Sequence, residues 1–248
     1  MSLRNILKFS LIAFIVAISF YFLYQYYHKS EVQKIYPKNL EMQNLLLGIR
    51  SENFSEIDKA IHQGASLDKQ ESNTSPLQYA FKYRKLKSFQ YLLSKGANPN
   101  ILFNENRSLI LDAIDRNNID YLKAIVQNKG DINLLHKLGV RPLYYALVNK
   151  RNQAVDILIE NGADICLADK YHRTVFTELL LGRDFDQALY LLEKNLNPFL
   201  SDSNVQISIK YSIERSYKVR SPSPQYKNFG KLVQKLEQLG FKFELKEL

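Results

Sequence analysis

The sequence predicts an all-α solenoid of about six helical hairpins joined by β-turn fingers, preceded by one transmembrane helix. Three observations carry this. Similar segments recur at a spacing of 33 residues. The slots that would close the helices hold Gly, Asn or His in register. A long uncharged stretch stands alone near the start.

From the N-terminus, residues 1–5 read as a short tail and 6–27 as a membrane-spanning signal anchor. No charged residue lies between Phe9 and Tyr27. With Ile6, Leu7 and a snorkelling Lys8, the run reaches the roughly 20 residues a helix needs to cross a bilayer. Tyr21, Tyr24, Tyr26 and Tyr27 gather at its C-terminal end, as an interfacial aromatic belt does. Ala17-Ile18-Ser19 matches a signal-peptidase site, but the run continues through Phe20-Tyr21-Phe22-Leu23-Tyr24, which favours a retained anchor. Arg4 and Lys8 precede the span, and His28, Lys29, Lys34 and Lys38 come after it in a linker over 28–39. A short tail before a single span stays inside, which sets the rest outside the cytoplasm, facing a bacterial periplasm.

The repeats occupy 40–248, at about 40–68, 69–100, 101–133, 134–166, 167–200 and 201–243. The cleanest copies are Ser75-Pro76-Leu77-Gln78-Tyr79-Ala80 and Arg141-Pro142-Leu143-Tyr144-Tyr145-Ala146. An alanine column runs Ala80, Ala113, Ala146 and Leu179 at steps of 33. Pro76 and Pro142 suit the first helical position, where a missing N–H costs little. A turn slot holds Asn73, Asn106, Gly139 and His172, types that tolerate positive φ. The slot closing each second helix holds Gly64, Gly96, Gly130, Gly162, Asn195 and Gly240, the expected left-handed cap, with one extra residue before Gly130. The terminal copies are degenerate, as end units facing water are. In the last, Val205–Ile209 begins the first helix, and Phe229–Leu239 forms the second with Val233 and Leu236 inward. Residues 217–228 read as an insertion.

These motifs, T-P-L-H-x-A followed by L-L-x-x-G-A-D/N, resemble the ankyrin repeat over roughly residues 40–243. No copy has His at the fourth motif position. The resemblance implies a curved stack that grips a protein partner with its finger tips and first-helix face. Carried over by position, the groove residues are Tyr79, Lys82, Tyr83, Asp112, Asp115, Arg116, Tyr145, Asn149 and Glu178, with Lys85 on a basic rim. The finger tips are Lys69, Gln70, Leu102, Phe103, His136, Lys137, Lys170 and Tyr171. Tyr79, Tyr83, Phe103, Arg116 and Tyr145 are expected on one concave face.

Composition restricts the function. The 248 residues carry a net charge of +9, dense over Lys82–Lys87 and again at Lys218, Arg220, Lys227, Lys231 and Lys235, which suits an acidic protein partner. Nucleic acid is disfavoured by the tether and by the lack of a matching motif. Cys166 is the single cysteine, so no internal disulfide exists, and its expected role is a small buried apolar residue. The four histidines are scattered, with no zinc spacing, and no P-loop, G-x-S-x-G or dinucleotide fingerprint occurs. The sequence therefore reads as non-catalytic, with no cofactor or small-molecule substrate. Two classes stay open: a membrane-tethered binding scaffold, and an immunity protein neutralising a toxin in the periplasm. An unmarked membrane-associated enzyme is a third.

Overall fold

The computed structural model describes residues 3–103, 107–136, 140–194, 196–198, 203–218 and 226–243, with side chains from residue 12 onward. The described residues form thirteen helices and no strand; one isolated bridge pairs Glu71 with Thr74. They divide into two compact units, 1–103 and 104–248.

The first unit holds α1 (Leu3–Ile35), α2 (Leu40–Ser51), α3 (Phe54–His62), α4 (Pro76–Lys82) and α5 (Leu86–Ser94). Pro76 occupies the first turn of α4 as expected, and Ser75 and Gln78 close a reciprocal capping box over it. Asn39 and Asn53 cap α2 and α3 by accepting from Met42 and Glu56 N–H. Leu45, Leu46, Ile49, Ile57, Leu77, Ala80, Phe89 and Leu92 are fully buried between the two hairpins.

Helix α1 departs from expectation. It runs past Tyr27 to Ile35, so most of the supposed linker is helical. Among the described residues, no helix is long and apolar enough to cross a membrane. The span expected over 6–27 is therefore not supported there. Its opening residues, through Leu11, lie outside the described side chains, and the remainder soon meets Gln25, His28 and Lys29. The apolar side chains from Ile12 to Tyr27 nevertheless point outward, Phe20 being 69% and Tyr26 75% exposed. Past them the helix docks. Val32 and Tyr36 are fully buried, the Tyr36 hydroxyl lies 2.8 Å from the Thr74 carbonyl, and Gln43 Nε2 donates to the Tyr36 carbonyl at 2.7 Å.

The second unit holds α6 (Leu109–Asp115), α7 (Ile119–Gln127), α8 (Pro142–Val148), α9 (Asn152–Glu160), α10 (Val175–Leu181), α11 (Phe185–Glu193), α12 (Ser203–Lys218) and α13 (Phe229–Gln238). Pro142 again starts its helix, and Thr174 with Thr177 caps α10. The 16-residue α12 is the long first helix of the last copy. Val233 and Leu236 of α13 are buried as expected. Of the insertion over 217–228, residues 219–225 lie outside the described residues.

One backbone device joins the first five hairpins. Glu52, Arg84, Asn117, Lys150 and Arg183 all sit in the left-handed region, with φ between 53° and 58°. The next N–H in each case reaches back to the carbonyl of Gly48, Ala80, Ala113, Ala146 or Leu179 at 2.8–3.0 Å. This is the helix-ending bond from C″ to C3. The alanine column thus marks the carbonyl that closes each first helix, as well as a tightly packed position.

The second helices end as expected at Gly64, Gly96, Gly162 and Gly240, with φ of 102°, 92°, 88° and 100°. Asn73 and His172 hold φ of 57° and 58° at the turn slots. Asn106, Gly139 and Asn195 lie outside the described residues. The third copy differs from the expectation. Lys129, at φ 64°, takes the left-handed position, and Gly130 N–H bonds Ile125 O at 2.9 Å, as Ala97 bonds Leu92 and Ala163 bonds Leu158. Ala97, Gly130 and Ala163 are 33 residues apart, so no residue is inserted. Gly130 is required for space instead, because a Cβ there would stand 2.3 Å from Ile125 Cγ2 and 2.8 Å from its carbonyl oxygen.

Candidate functional site

In the first unit, the face expected to line a groove is occupied by the chain itself. Tyr79 is fully buried, not presented to a partner, and burial pushes its hydroxyl up to about 12. Its ring packs 4.5 Å from Tyr83. Arg50 of α2 lies 3.6 Å over the other ring of that pair, Tyr83, and its Nη2 is 3.3 Å from His28 Nε2 of α1. Lys82 Nζ reaches Glu31 of α1 at 3.4 Å. The docked end of α1 is what covers the first-helix face here, and a repeat pattern alone does not reveal it. Of the basic rim, Lys82 is partly neutralised by Glu31, Lys85 is half-buried and Lys87 is exposed.

Two apolar tip residues separate. Leu102 is 37% exposed, and its carbonyl accepts from Gln70 Nε2 at 3.0 Å. Phe103 is buried, so it offers no apolar tip. A hollow of about 270 Å³ lies beside Tyr24, His28, Asn44 and Arg50.

In the second unit, Asp112 is buried and ion-paired with Arg107, which also holds Asp115 at 3.1 Å. Asp115 accepts from the Tyr145 hydroxyl at 2.9 Å, while its carbonyl accepts from Arg151 at 3.0 Å. Asp115 and Tyr145 therefore tie neighbouring hairpins together, while Asp112 is held within its own copy. Arg116 and Asn149 are exposed, and Asn149 Nδ2 donates to the Tyr145 carbonyl at 2.8 Å. His136 is buried, with Nε2 3.3 Å from Ser108 Oγ, and so is no finger tip. Tyr171 stays exposed at 62%, between Lys170 and Arg173 at 4.9 and 5.1 Å. Arg173 also bridges Asp169 at 2.8 Å and Glu178 at 3.1 Å. Lys137 lies outside the described residues. Cys166 is only partly buried, its Sγ 3.6 Å from Asn197 O.

A surface feature was absent from the expected set. The column Lys82, Asp115, Val148, Leu181 advances by 33 and turns from charged to apolar in the fourth and fifth copies. Val148 is 38% and Leu181 52% exposed, each ending its helix. That change of character along one column was the available signal. Among the described residues, no group of three or more His, Cys, Asp or Glu is placed to hold a metal ion.

No family model matches the chain. Over 96 residues it is 32% identical to a putative ankyrin repeat protein of Acanthamoeba polyphaga mimivirus, covering 39% of this chain and 12% of that protein. It is 28% identical over 131 residues to a putative ankyrin repeat protein of Rickettsia felis, covering 51% and 43%. A putative ankyrin repeat protein of Rickettsia bellii is 32% identical over 111 residues, covering 42% and 16%. The chain thus spans less than half the length of each of these relatives. The helical hairpins are consistent with an ankyrin-repeat solenoid, and the relatives support an ankyrin-repeat protein.

Proposed function

We propose that this chain is a non-catalytic binding scaffold for a protein partner, held at a membrane by α1 with its repeats outside the cytoplasm. The binding reading is carried by one observation: helical hairpins recur in register across the chain, and the matched relatives are ankyrin repeat proteins. Such units spend their cores on neighbouring units and leave broad surfaces for recognition.

The tether rests on α1. Its side chains from Ile12 to Tyr27 expose large apolar groups along one continuous helix. A water-facing helix would not carry so many, since contiguous apolar surface of that extent marks a membrane or protein contact. Docking of residues 28–36 onto α2 would then hold the repeats close to the headgroups instead of on a loose leash. The partner surface falls to the second unit, because in the first unit α1 covers much of the corresponding face.

Carbonate extraction of membranes carrying the full chain tests the tether: retention in the pellet is expected, and release into the wash removes it. Alkaline phosphatase fused after Leu248 should be active; a silent phosphatase with a bright fluorescent-protein fusion would reverse the topology. In-cell crosslinking through the second unit should capture a defined protein, and capture that is unchanged by surface substitutions there would overturn the binding reading.

A further inference from the structure

The hollow between the end of α10 and the middle of α12 has a chemistry of its own. It encloses about 100 Å³ and is lined by Leu181, Tyr211, Ser212, Ser216 and the arginines Arg183 and Arg215. Leu181 and Tyr211 are 52% and 60% exposed, so its apolar wall faces water. Neither arginine has an ion pair or a side-chain hydrogen bond among the described residues. The carboxylates beside them in sequence are engaged elsewhere. Glu214 faces Lys210 at 3.8 Å, Asp184 caps α11 through Gln187 N–H at 3.4 Å, and Asp186 accepts from Asn228 at 2.9 Å.

We infer that this hollow docks an acidic segment of the protein partner: one apolar side chain enters between Leu181 and Tyr211, and flanking carboxylates pair with Arg183 and Arg215. The inference rests on the scaffold reading above. Tyrosine and arginine are the residues in which interfaces concentrate their energy. A guanidinium is weakly hydrated and matches a carboxylate in a two-pronged geometry, so an unpaired pair of them favours a carboxylate ligand. An apolar wall in the same hollow as the cations is what a side chain needs. A polyphosphate backbone would instead call for a row of cations without an apolar gap.

The test is a random 16-residue peptide display library selected on the full chain held in detergent. Enriched peptides should carry Leu, Ile or Phe flanked by Asp or Glu. In anisotropy they should lose at least tenfold in affinity on R183Q/R215Q and on L181D, and be unaffected by K87S. Melting curves of each variant, matched to wild type, keep the comparison valid. Peptides that bind R183Q/R215Q as well as wild type would overturn this site while leaving the scaffold reading intact. Replacement of the flanking acids by Asn and Gln without loss would overturn the carboxylate pairing. No enrichment, with binding only to anionic vesicles, would overturn both.

Discussion

Arg50 lays its guanidinium 3.6 Å over the Tyr83 ring while its Nη2 contacts His28 Nε2 at 3.3 Å, so one side chain clamps α1, α2 and α4 together. Arginine stacks well because its flat cation meets the ring face and sheds water easily. Arg50→Ala is expected to destabilise the first unit by about 1–2 kcal/mol, the range for a partly desolvated cation–π contact with its packing. Arg50→Lys should recover little, because an ammonium cannot stack. Urea denaturation of the three proteins measures this; a Lys variant equal to wild type would reduce Arg50 to a mere positive charge.

The same contact sets a pH dependence. Arginine only donates, so His28 Nε2 must be the bare nitrogen, with its proton on Nδ1, 3.7 Å from Glu31 Oε2. Burial first, and the Arg50 charge second, hold His28 below its ordinary 6.5; Lys85 acts the same way, and Glu31 opposes them. Tyr24 and Tyr27 enclose the ring, with Tyr24 at 4.1 Å. With the folded pKa lowered, the unfolded chain binds more protons than the folded one once pH drops to about 6.5. This share of stability is therefore whole above that pH and declines as pH falls toward the folded pKa. His28→Gln keeps an acceptor for Arg50 and should flatten the slope between pH 7.5 and pH 5; an unchanged slope would remove His28 as its source.

A position is legible in the sequence only as far as its geometry restricts residue type. Pro76, Pro142, Gly96 and Gly162 were legible because few residues satisfy a first helical turn or a φ near +90°. The equally regular joints at Glu52, Arg84, Asn117, Lys150 and Arg183 were not, because their φ near +55° admits long polar side chains at moderate cost. Tyr79 was placed on a groove from its repeat position; it is instead buried, packed on Tyr83 with Arg50 of α2 and Glu31 of α1 close by, and α1 carries no repeat signal. Asp112 and His136 failed for a related reason, each finding a partner on another segment of its own unit.

Two matching clamps join second helices. Asp58 accepts from the Tyr91 hydroxyl at 2.7 Å and pairs with Lys95 at 2.8 Å; Asp156 does the same with Tyr190 at 3.1 Å and Lys194 at 2.6 Å. Lys95 foremost, then Tyr91, hold the Asp58 carboxyl below its ordinary 3.8, and Lys194 foremost holds Asp156 below it. A lowered carboxyl contributes stability that is present above about pH 3.8 and is lost as pH falls through the folded value. Asp58→Asn/Asp156→Asn should therefore lower the melting temperature at pH 6 and narrow the gap to wild type below pH 3. A gap that widens in acid would contradict the clamps.

The register of the third hairpin can be tested by substitution. Lys129 holds φ 64° where the other second helices that end in the left-handed region use glycine, and Gly130 presses against Ile125. A left-handed non-glycine residue costs about 1 kcal/mol, so Lys129→Gly is expected to stabilise by up to about that amount, less the entropy a glycine adds to the unfolded chain. Gly130→Ala should do the reverse. Its φ is no obstacle, but the new methyl would meet the Ile125 carbonyl at 2.8 Å, which backbone must move to relieve. At Gly96 the order of causes is inverted. A Cβ there would meet no atom within 4 Å, yet φ is 92°, so Gly96→Val should destabilise by about 1 kcal/mol or more through backbone strain alone. Thermal melts of the three variants settle the assignment. If Gly130 held the left-handed cap instead, Lys129→Gly would destabilise an ordinary helical end, and the three signs would no longer be gain, loss and loss.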